Sequence, residues 1–275
     1  MKSNQKNSYI DQTNRKIIFD AVPKKIISVV PSQTELLYDL GLDEEVIGIT
    51  KFCIHPEKWF REKARIGGTK KINIEKIKLL KPDLIIANKE ENEKAQIEEL
   101  AQHFNVWISD IKTFEDALNM IVSVGEIVDR KEKAQLLKQS IEKEFEKIFF
   151  LKTAPKKTRT AYFIWKNPFM AAGENTFIDD MLHKCGFENV FEKKIFSNTK
   201  NARYPVISVE QIKEANPELI LLSSEPYPFK ELHLEEFKKV CPNAIVKIVD
   251  GELFSWYGSR LQKSPNYFLE LLKQL

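Results

Sequence analysis

Seven short apolar runs recur along the chain, and each is followed by a turn and an amphipathic stretch. Several of these runs are continuous rather than alternating, which is the pattern of strands that helices bury on both faces. The alternation of such strands with helices predicts an α/β fold with parallel sheets. The predicted strands are residues 26–30, 46–50, 83–87, 106–109, 160–165, 219–223 and 245–250.

A helix is predicted directly after the first apolar run. Ser32 and Glu35 have the spacing of a capping box, in which two side chains bond the free backbone N–H groups of the first turn. Gly41 is placed to end this helix, because glycine readily adopts the backbone conformation that follows a helix.

The middle of the sequence shows a helical pattern without strand signals. Thr113 and Asp116 are spaced as a helix N-terminus, and a second helical stripe extends to Ile148. Because this segment lacks proline and contains a single glycine, Gly125, we expect a rigid connector between two α/β halves. The expected division is an N-terminal lobe at 1–112, a bridging helix at 113–129 and a C-terminal lobe at 130–275.

Two segments of the sequence are similar to each other. Residues 73–86 and 208–221 each contain an N-cap residue, a helical stretch, a proline and an apolar run. They fit either a true internal repeat or two copies of a unit that is common in α/β proteins. In both cases the two halves contain the same unit, and two similar lobes create a cleft, which is a preferred place for a ligand.

Composition excludes several classes of protein. Of the 275 residues 43% are hydrophobic, which allows a sizeable core, and 43 basic against 40 acidic side chains give a net charge of +3. That balance is far from the charge of a dedicated nucleic-acid binder. The sequence also lacks any run near the roughly 20 apolar residues that a membrane-spanning helix needs.

The start of the sequence bears on the compartment. Residues 1–16 are polar and lack the apolar segment of a secretory signal. The protein is therefore either cytoplasmic, or periplasmic or otherwise extracytoplasmic with its signal missing from the chain. Met1 favours the first alternative, and three widely spaced cysteines agree with a reducing compartment. We expect a cytoplasmic location.

Common enzyme motifs are absent from the sequence, including the nucleophile elbow, the P-loop and the dinucleotide-binding glycine motif. Cys53 and His55 follow an apolar run, and loops at the ends of parallel strands face the ligand crevice of such folds. A thiol and an imidazole at this spacing suit a soft metal, but the pair alone does not define a zinc site. Cys53 is therefore a candidate ligand contact.

Residues 254–260 are the most informative segment for function. Phe254, Trp256, Tyr257 and Arg260 follow directly after the last apolar run. Flat aromatic faces and a planar guanidinium suit a ligand with a large apolar surface and a polar edge. The alternative is that these side chains pack beneath the C-terminal helix. Further aromatic residues in predicted loops are Trp165, Phe169 and Tyr204.

Several segments occur in an order and spacing that carry a resemblance over nearly the whole chain. They are residues 25–35, 46–50, 67–86, 167–169, 185–191 and 208–222. In them the chain resembles the substrate-binding proteins of ABC importers for cobalamin, iron–siderophores and haem, and most closely the cobalamin-binding members. The resemblance implies two Rossmann-like α/β lobes bridged by a single long backbone helix, with the ligand cleft between the lobes.

The resemblance also implies roles for particular residues. In cobalamin-binding relatives aromatic side chains clamp the ligand, and Phe169 falls at one such position. Tyr204 and Asn88 fall where tryptophans are usual. Relatives use one surface glutamate per lobe to dock onto arginines of the membrane permease. Glu210 matches in the second lobe, and Glu93 is adjacent to the matching position in the first.

The expected function is a non-enzymatic, monomeric substrate-binding protein that captures cobalamin or a related metal chelate, with an ABC permease as partner. No cofactor, resident metal or nucleic acid is expected. Haem and ferric siderophores are alternative ligands that would favour basic cleft residues, for which Arg203, Lys89 and Arg260 are candidates. An alternative of another class is a cytoplasmic tetrapyrrole- or metal-handling protein, or a chelatase-like enzyme, that uses Cys53 and His55.

Overall fold

The computed structural model describes residues 7–153, 157–191 and 203–275, which group into two compact units. Within these residues, unit 1 comprises 7–111, Glu115–Ile141 and Tyr257–Arg260. Unit 2 comprises Lys112–Phe114, the described residues of 142–256, and Leu261–Leu275. The segment Tyr257–Arg260 therefore belongs to unit 1, although the chain on both sides of it belongs to unit 2.

Unit 1 consists of a parallel sheet, an antiparallel hairpin and the helices between the strands. Its strands are β1 (Asn7–Ile10), β2 (Lys16–Phe19), β3 (Ile26–Ser28), β4 (Val46–Ile49), β5 (Ala64–Arg65), β6 (Leu84–Asn88) and β7 (Val106–Ser109). Its helices are α1 (Pro31–Asp39), α2 (Glu57–Glu62), α3 (Ile74–Leu80), α4 (Lys94–Ala101) and most of α5 (Phe114–Ile127). β1 and β2 form the hairpin, and the parallel strands lie in the order β5-β4-β3-β6-β7.

Helix α6 (Lys131–Glu146) contributes to both units. The strands of unit 2 come after it in the chain. They are β8 (Thr158–Trp165), β9 (Met170–Ala171), β10 (Phe187–Asn189), β11 (Leu219–Ser223) and β12 (Ile245–Val249). The helices of unit 2 are α7 (Phe177–Lys184), α8 (Val209–Ala215), α9 (Glu231–Val240), α10 (Gly251–Ser255) and α11 (Ser264–Leu272). The parallel strands lie in the order β10-β8-β11-β12, and β9 pairs antiparallel with β8.

All seven strands predicted from the apolar runs are present, which confirms the α/β class with parallel sheets. The pattern is informative because every residue of β6 and of β11 is buried, so these strands have no solvent face to alternate with. Among the described residues each unit has its own five-stranded sheet. None of the helices within residues 7–153, 157–191 and 203–275 is long and apolar enough to cross a bilayer.

Both sheets reverse the direction of their strand order at an equivalent place. From β3 the chain moves to β4 on one side and later to β6 on the other. In unit 2 it moves from β8 to β10 on one side and then to β11 on the other. Such a switch point leaves a crevice outside the carboxyl ends of the two diverging strands, where open α/β sheets bind ligands. A ligand site is therefore expected among the residues that follow β3 and β6 in unit 1 and β8 and β11 in unit 2.

The two similar segments of the sequence have the same local structure. α3 and α8 begin after Asn73 and Ser208, whose side chains accept a hydrogen bond from a backbone N–H of the first turn. Each helix has seven residues and ends at a left-handed residue, Lys81 with φ of 50° and Asn216 with φ of 42°. A proline and a buried five-residue strand follow in both units.

The capping box predicted at the start of α1 is wrong. The N-cap residue is Val30, and no side chain in the described part of the chain caps the helix. Ser32 lies inside the helix and is buried, and Glu35 pairs with Arg260 instead of the helix terminus. The end of α1 is as predicted, because Gly41 follows it with φ of +82°.

The helical middle of the chain forms two helices. α5 and α6 are separated by a short turn in which Asp129 has φ of 57°. The division between the two units falls within α6, between Ile141 and Glu142. The bridging role of residues 113–129 and the lobe boundaries at 112 and 130 stay predictions.

Candidate ligand-binding site

The switch point of unit 2 carries two partly exposed aromatic side chains. Trp165 is the last residue of β8, and Tyr227 lies in the loop that follows β11. Their ring centroids are 5.6 Å apart with an interplanar angle of 68°, an edge-to-face arrangement. Trp165 is 39% exposed. The pair therefore offers aromatic surface at the position where this fold places ligands. Trp165 is one of the loop aromatics predicted from the sequence, whereas Tyr227 is not among them.

Phe169 and Tyr204, the candidates that the resemblance supplied, also lie in unit 2 and are both half-buried. The ring of Phe169 is 5.1 Å from that of Phe237, so one side of it belongs to the hydrophobic core. The backbone N–H of Ile207 donates to the carbonyl oxygen of Phe169 at 2.9 Å. This bond holds the two loops of Phe169 and Tyr204 beside each other.

Phe254 and Trp256 are packed more deeply than their position in a loop suggested. Phe254 is fully buried, and its ring lies 5.2 Å from that of Tyr162 and 4.7 Å from that of Phe268. Trp256 is 7% exposed, and its indole N–H donates to Oε1 of Glu225 at 2.9 Å. These contacts support the alternative in which both side chains pack against the C-terminal helix region. Their ligand-binding role stays a prediction.

Glu225 is a carboxylate at the unit 2 switch point that the sequence did not reveal. Its Oε1 accepts hydrogen bonds from Trp256 and from the hydroxyl of Ser255, the latter at 2.7 Å. Burial raises the pKa of this carboxyl, and the nearby charges of Glu252 and Asp250 raise it further, against the lowering effect of the two hydrogen bonds. The net result is a raised pKa.

In unit 1, residues 257–260 are held by three carboxylates. Arg260 donates from Nε and Nη2 to the two carboxylate oxygens of Glu35, both at 2.8 Å, and both side chains are buried. The hydroxyl of Tyr257 donates to Glu91. Ser259 is likewise bonded to a carboxylate, that of Asp39. Tyr257 and Arg260 are therefore tied into unit 1, and their predicted contacts with a ligand remain untested.

Gly258 lies close to the first turn of α1. A Cβ added there would stand 2.7 Å from the carbonyl oxygen of Ser32, closer than a real Cβ approaches an oxygen. Glycine is the residue that permits this approach of two backbones. The first turn of α1 is thus covered by the 257–260 segment within unit 1.

Asn88 ends β6 at the unit 1 switch point and is buried. Its Oδ1 accepts from the backbone N–H groups of Glu90 and Glu91, at 2.8 and 3.0 Å, and its Nδ2 donates to Oγ of Ser109 at 3.0 Å. Gln33 also donates to that Oγ, at 2.6 Å. Asn88 therefore organises the loop after β6 and joins it to the end of β7.

Cys53 is fully buried after β4, between two hydroxyl groups. Thr34 donates to its sulfur at 3.1 Å, and the hydroxyl of Thr50 lies at the same distance. Burial raises the pKa of the thiol, which opposes metal binding by the thiolate. Among the described residues no group of three potential ligands could hold a metal ion. The chelatase-like alternative built on Cys53 and His55 thus gains no support.

The two candidate docking residues are both exposed acids at helix starts. Glu93 is the N-cap residue of α4 in unit 1, and Glu210 is the second residue of α8 in unit 2. A hydrogen bond from its own backbone N–H, together with the side chain of Ser208, lowers the pKa of Glu210. Both residues are exposed, and an acidic side chain is favoured at the positive end of a helix.

A family model described as "Periplasmic binding protein" matches residues 26–246, well over half of the chain. The chain belongs to this periplasmic binding protein family. The match extends from β3 through β11 into β12, so it includes the switch points of both sheets.

Individual relatives within the family agree. The vitamin B12-binding protein of Vibrio parahaemolyticus is 27% identical over 201 residues, which are 73% of this chain and 70% of that protein. An uncharacterised ABC transporter substrate-binding lipoprotein of Bacillus subtilis is 30% identical over 188 residues, 65% of this chain and 59% of that one. The periplasmic vitamin B12-binding protein of Vibrio cholerae has the same fold, with a TM-score of 0.77, 22% identity and coverage of 92% and 98% of the two chains.

Family membership settles the class of the protein and corrects one prediction. Periplasmic binding proteins of this family are solute-binding proteins and not enzymes, and those of ABC importers bind small ligands and deliver them to a permease. The predicted cytoplasmic location is wrong, because the relatives are periplasmic proteins or lipoproteins that work outside the cytoplasm. The polar start of the sequence was an unsuitable basis for that prediction.

Proposed function

We propose that this chain captures a corrinoid of the cobalamin type for an ABC importer. The observation that carries the proposal is the partly exposed pair of Trp165 and Tyr227 at the switch point of unit 2. Vitamin B12-binding proteins among the relatives support it, because they match this chain over most of its length. Phe169, whose loop lies between β8 and β9, extends the aromatic surface of the same unit.

The physical reason is the shape of such a ligand. A corrin ring is broad and largely apolar on its faces, and removing apolar surface from water supplies about 25 cal/mol per Å². Aromatic contacts add about 0.5–1.5 kcal/mol per pair beyond that area. Trp165, Tyr227 and Phe169 are rigid side chains with large faces, so they bind such a ring at little cost in conformational entropy.

The ion pairs formed by Lys89 and Arg260 favour a corrinoid over haem or a ferric siderophore as the ligand. Those alternatives are anionic and call for available basic side chains. Lys89 is bonded to Asp110 at 2.6 Å, and Arg260 is engaged by Glu35. Lys89 and Arg260 are thus already paired with carboxylates of the protein, whereas the amide groups of a corrinoid are neutral and need no basic partner.

Delivery to a permease is the second part of the proposal. Glu93 and Glu210 are exposed acids, one in each unit, and they suit contacts with arginine side chains of a membrane partner. Such rim contacts set orientation and association rate more than affinity, so these residues should matter for transport and not for capture of the ligand.

The test is co-elution with candidate ligands. The purified chain is incubated separately with cyanocobalamin, haem and a ferric catecholate, and each mixture is passed through a desalting column. We expect the visible absorbance of the corrin to elute with the protein in equimolar amount. Elution with haem or the ferric catecholate alone would assign another ligand, and elution with none would contradict the proposal.

A further inference from the structure

The imidazole of His233 packs against Tyr227, one member of the aromatic pair in unit 2. His233 is 6% exposed, and its ring centroid lies 5.7 Å from that of Tyr227 at an interplanar angle of 66°. The buried ring of Phe229 contacts both, with centroid distances of 4.8 Å to Tyr227 and 5.4 Å to His233. Tyr227 therefore contacts two buried rings in addition to the partly exposed ring of Trp165.

The backbone fixes the loop that carries Tyr227. Its N–H donates to the carbonyl oxygen of Ile164 at 3.3 Å, in the residue before Trp165, and its carbonyl oxygen accepts from the N–H of Phe229 at 2.9 Å. These bonds place the ring beside the end of β8. They do not decide which way the hydroxyl proton points, because a phenolic O–H rotates to suit its partners.

The ring of His233 accepts a hydrogen bond from the backbone. His233 is the third residue of α9, and the N–H of the N-cap residue, Lys230, donates to its Nδ1 at 2.8 Å. A backbone N–H can only donate, so Nδ1 is the acceptor nitrogen and carries no proton. The bond therefore requires the neutral imidazole with its proton on Nε2.

That proton determines the hydrogen-bonding role of Tyr227. Nε2 of His233 lies 3.4 Å from the hydroxyl oxygen of Tyr227, and since this nitrogen carries the proton, the oxygen accepts. The hydroxyl proton of Tyr227 then points away from His233. Within the described residues this hydroxyl has no second hydrogen-bond partner, and Tyr227 is only half-buried.

Histidine supplies a donor that the usual residues of this helix position lack or hold loosely. The third position of a helix commonly carries glutamate or glutamine, whose side chain accepts from the N-cap N–H. An ionised glutamate has acceptors only, whereas a neutral imidazole has an acceptor and a donor in one rigid ring. His233 thus caps α9 through one nitrogen and orients the Tyr227 hydroxyl through the other.

We propose that His233 is a positioning residue that directs the hydroxyl proton of Tyr227 toward the ligand, so that the aromatic site also donates one hydrogen bond. The group that receives it is a neutral oxygen acceptor, such as an amide carbonyl, beside the apolar surface that Trp165 and Tyr227 cover. This inference rests on the proposed function and narrows it to ligands with such an acceptor, which the amide groups of a corrinoid supply.

Two substitutions of His233 separate this role from helix capping. Glutamine and glutamate both accept from Lys230, so α9 should keep its cap and the urea unfolding midpoints should be similar. His233→Gln retains an N–H donor for Tyr227 and should bind cyanocobalamin within about twofold of the wild type. His233→Glu offers acceptors only and draws the hydroxyl proton to itself. It should weaken binding about 3- to 10-fold, the effect of one hydrogen bond.

Tyr227→Phe tests the hydroxyl and keeps the aromatic ring. It should weaken binding of cyanocobalamin about 3- to 10-fold. Adding His233→Glu to Tyr227→Phe should cause no further loss, because His233 acts through the hydroxyl. Additive losses would overturn the positioning role, as would equal affinities of His233→Gln and His233→Glu. Wild-type affinity in Tyr227→Phe would overturn the donated hydrogen bond.

Leu232→Glu is the matched control for charge. Leu232 is 67% exposed, so this substitution adds the same charge to the same turn of α9 from a position that faces solvent. It should leave the affinity for cyanocobalamin unchanged. Equal losses in Leu232→Glu and His233→Glu would attribute the effect to charge at the helix start and overturn the positioning role.

Nitrogen-15 NMR of the unliganded protein reads the tautomer directly. The sequence contains four histidines, and comparison with His233→Gln identifies the signals of His233. We expect a proton on Nε2 and none on Nδ1, and a proton on Nδ1 would overturn the inference while leaving the proposed function intact. If the wild type binds no cyanocobalamin, the proposed function itself fails, and the hydrogen bond to a corrinoid fails with it.

Discussion

The guanidinium of Arg260 and the carboxylate of Glu35 form a buried, two-bonded ion pair between residues 225 positions apart in the chain. The pair fixes the 257–260 segment onto α1 within unit 1. Because one nitrogen meets each carboxylate oxygen, the geometry is the bidentate one that arginine forms most specifically. The arginine that the sequence offered as a ligand contact is thus engaged by the protein itself.

The first prediction concerns this ion pair. Arg260→Met leaves the Glu35 charge buried without its partner, and it should lower the free energy of unfolding by about 3–5 kcal/mol. The measurement is urea denaturation followed by circular dichroism. Arg61→Met is the control, because Arg61 pairs with Glu57 where both side chains are more than 70% exposed, and it should change little. Unchanged stability of Arg260→Met with lost ligand affinity would instead assign Arg260 to the ligand.

The second prediction separates the two tryptophans of unit 2. Trp165→Ala should weaken ligand binding about tenfold with little change in melting temperature, because Trp165 is 39% exposed. Trp256→Ala should lower the free energy of unfolding by about 3–5 kcal/mol, because the side chain is buried and bonded to Glu225. Intact affinity in Trp165→Ala would count against the aromatic site. Lost affinity with an intact melt in Trp256→Ala would restore Trp256 as the ligand clamp.

The third prediction is a pH dependence at Glu225. Its pKa is raised in the folded protein, chiefly by burial, so the folded state binds the proton more tightly than the unfolded chain. The contribution of Glu225 to stability is therefore fully present below its unfolded pKa and is lost as pH rises through the folded one. Glu225→Gln keeps an oxygen for Ser255 and Trp256 but does not titrate.

The measurement is a series of urea midpoints from mildly acidic to neutral pH. Glu225→Gln should be more stable than the wild type at neutral pH, and this advantage should shrink on acidification. A stability difference that is independent of pH would show that Glu225 does not titrate in this window.

The fourth prediction tests docking. Glu210→Lys reverses an exposed charge at the start of α8 and should reduce transport in cells that carry the cognate permease, with ligand affinity unchanged. Glu231→Lys is the matched control, since Glu231 is also an exposed acid in the first turn of a unit 2 helix. Equal transport by both variants and the wild type would argue against a docking role for Glu210.

The strands and the two similar segments could be predicted from the sequence, because the patterns that produce them lie within a few neighbouring residues. The buried strands reveal themselves by continuous apolar runs, and Asn73 and Ser208 act as N-caps through hydrogen bonds within one turn. The predicted capping box of Ser32 and Glu35 is wrong, although the spacing of these two residues fits the motif. Glu35 is drawn to Arg260 by tertiary structure, and no local pattern contains that information.

The candidate site was only partly predictable for the same reason. Trp165 and Phe169 stand out as aromatics in loops, whereas Tyr227 becomes a candidate only when the strand order places β11 beside β8. The hydroxyl of Ser109 accepts hydrogen bonds from Asn88 and from Gln33, which is 76 residues away in the chain. Such partners follow from the topology of the sheet and not from neighbours in the chain.

The most direct test of the central claim is calorimetric titration of cyanocobalamin into the wild-type protein at several temperatures. We expect saturable binding with a Kd of about 1 μM or tighter. We also expect a binding enthalpy that becomes more negative as temperature rises, because burial of apolar surface lowers the heat capacity. Absence of saturable binding would contradict capture of a corrinoid, and binding without a heat-capacity change would contradict the aromatic site at Trp165 and Tyr227.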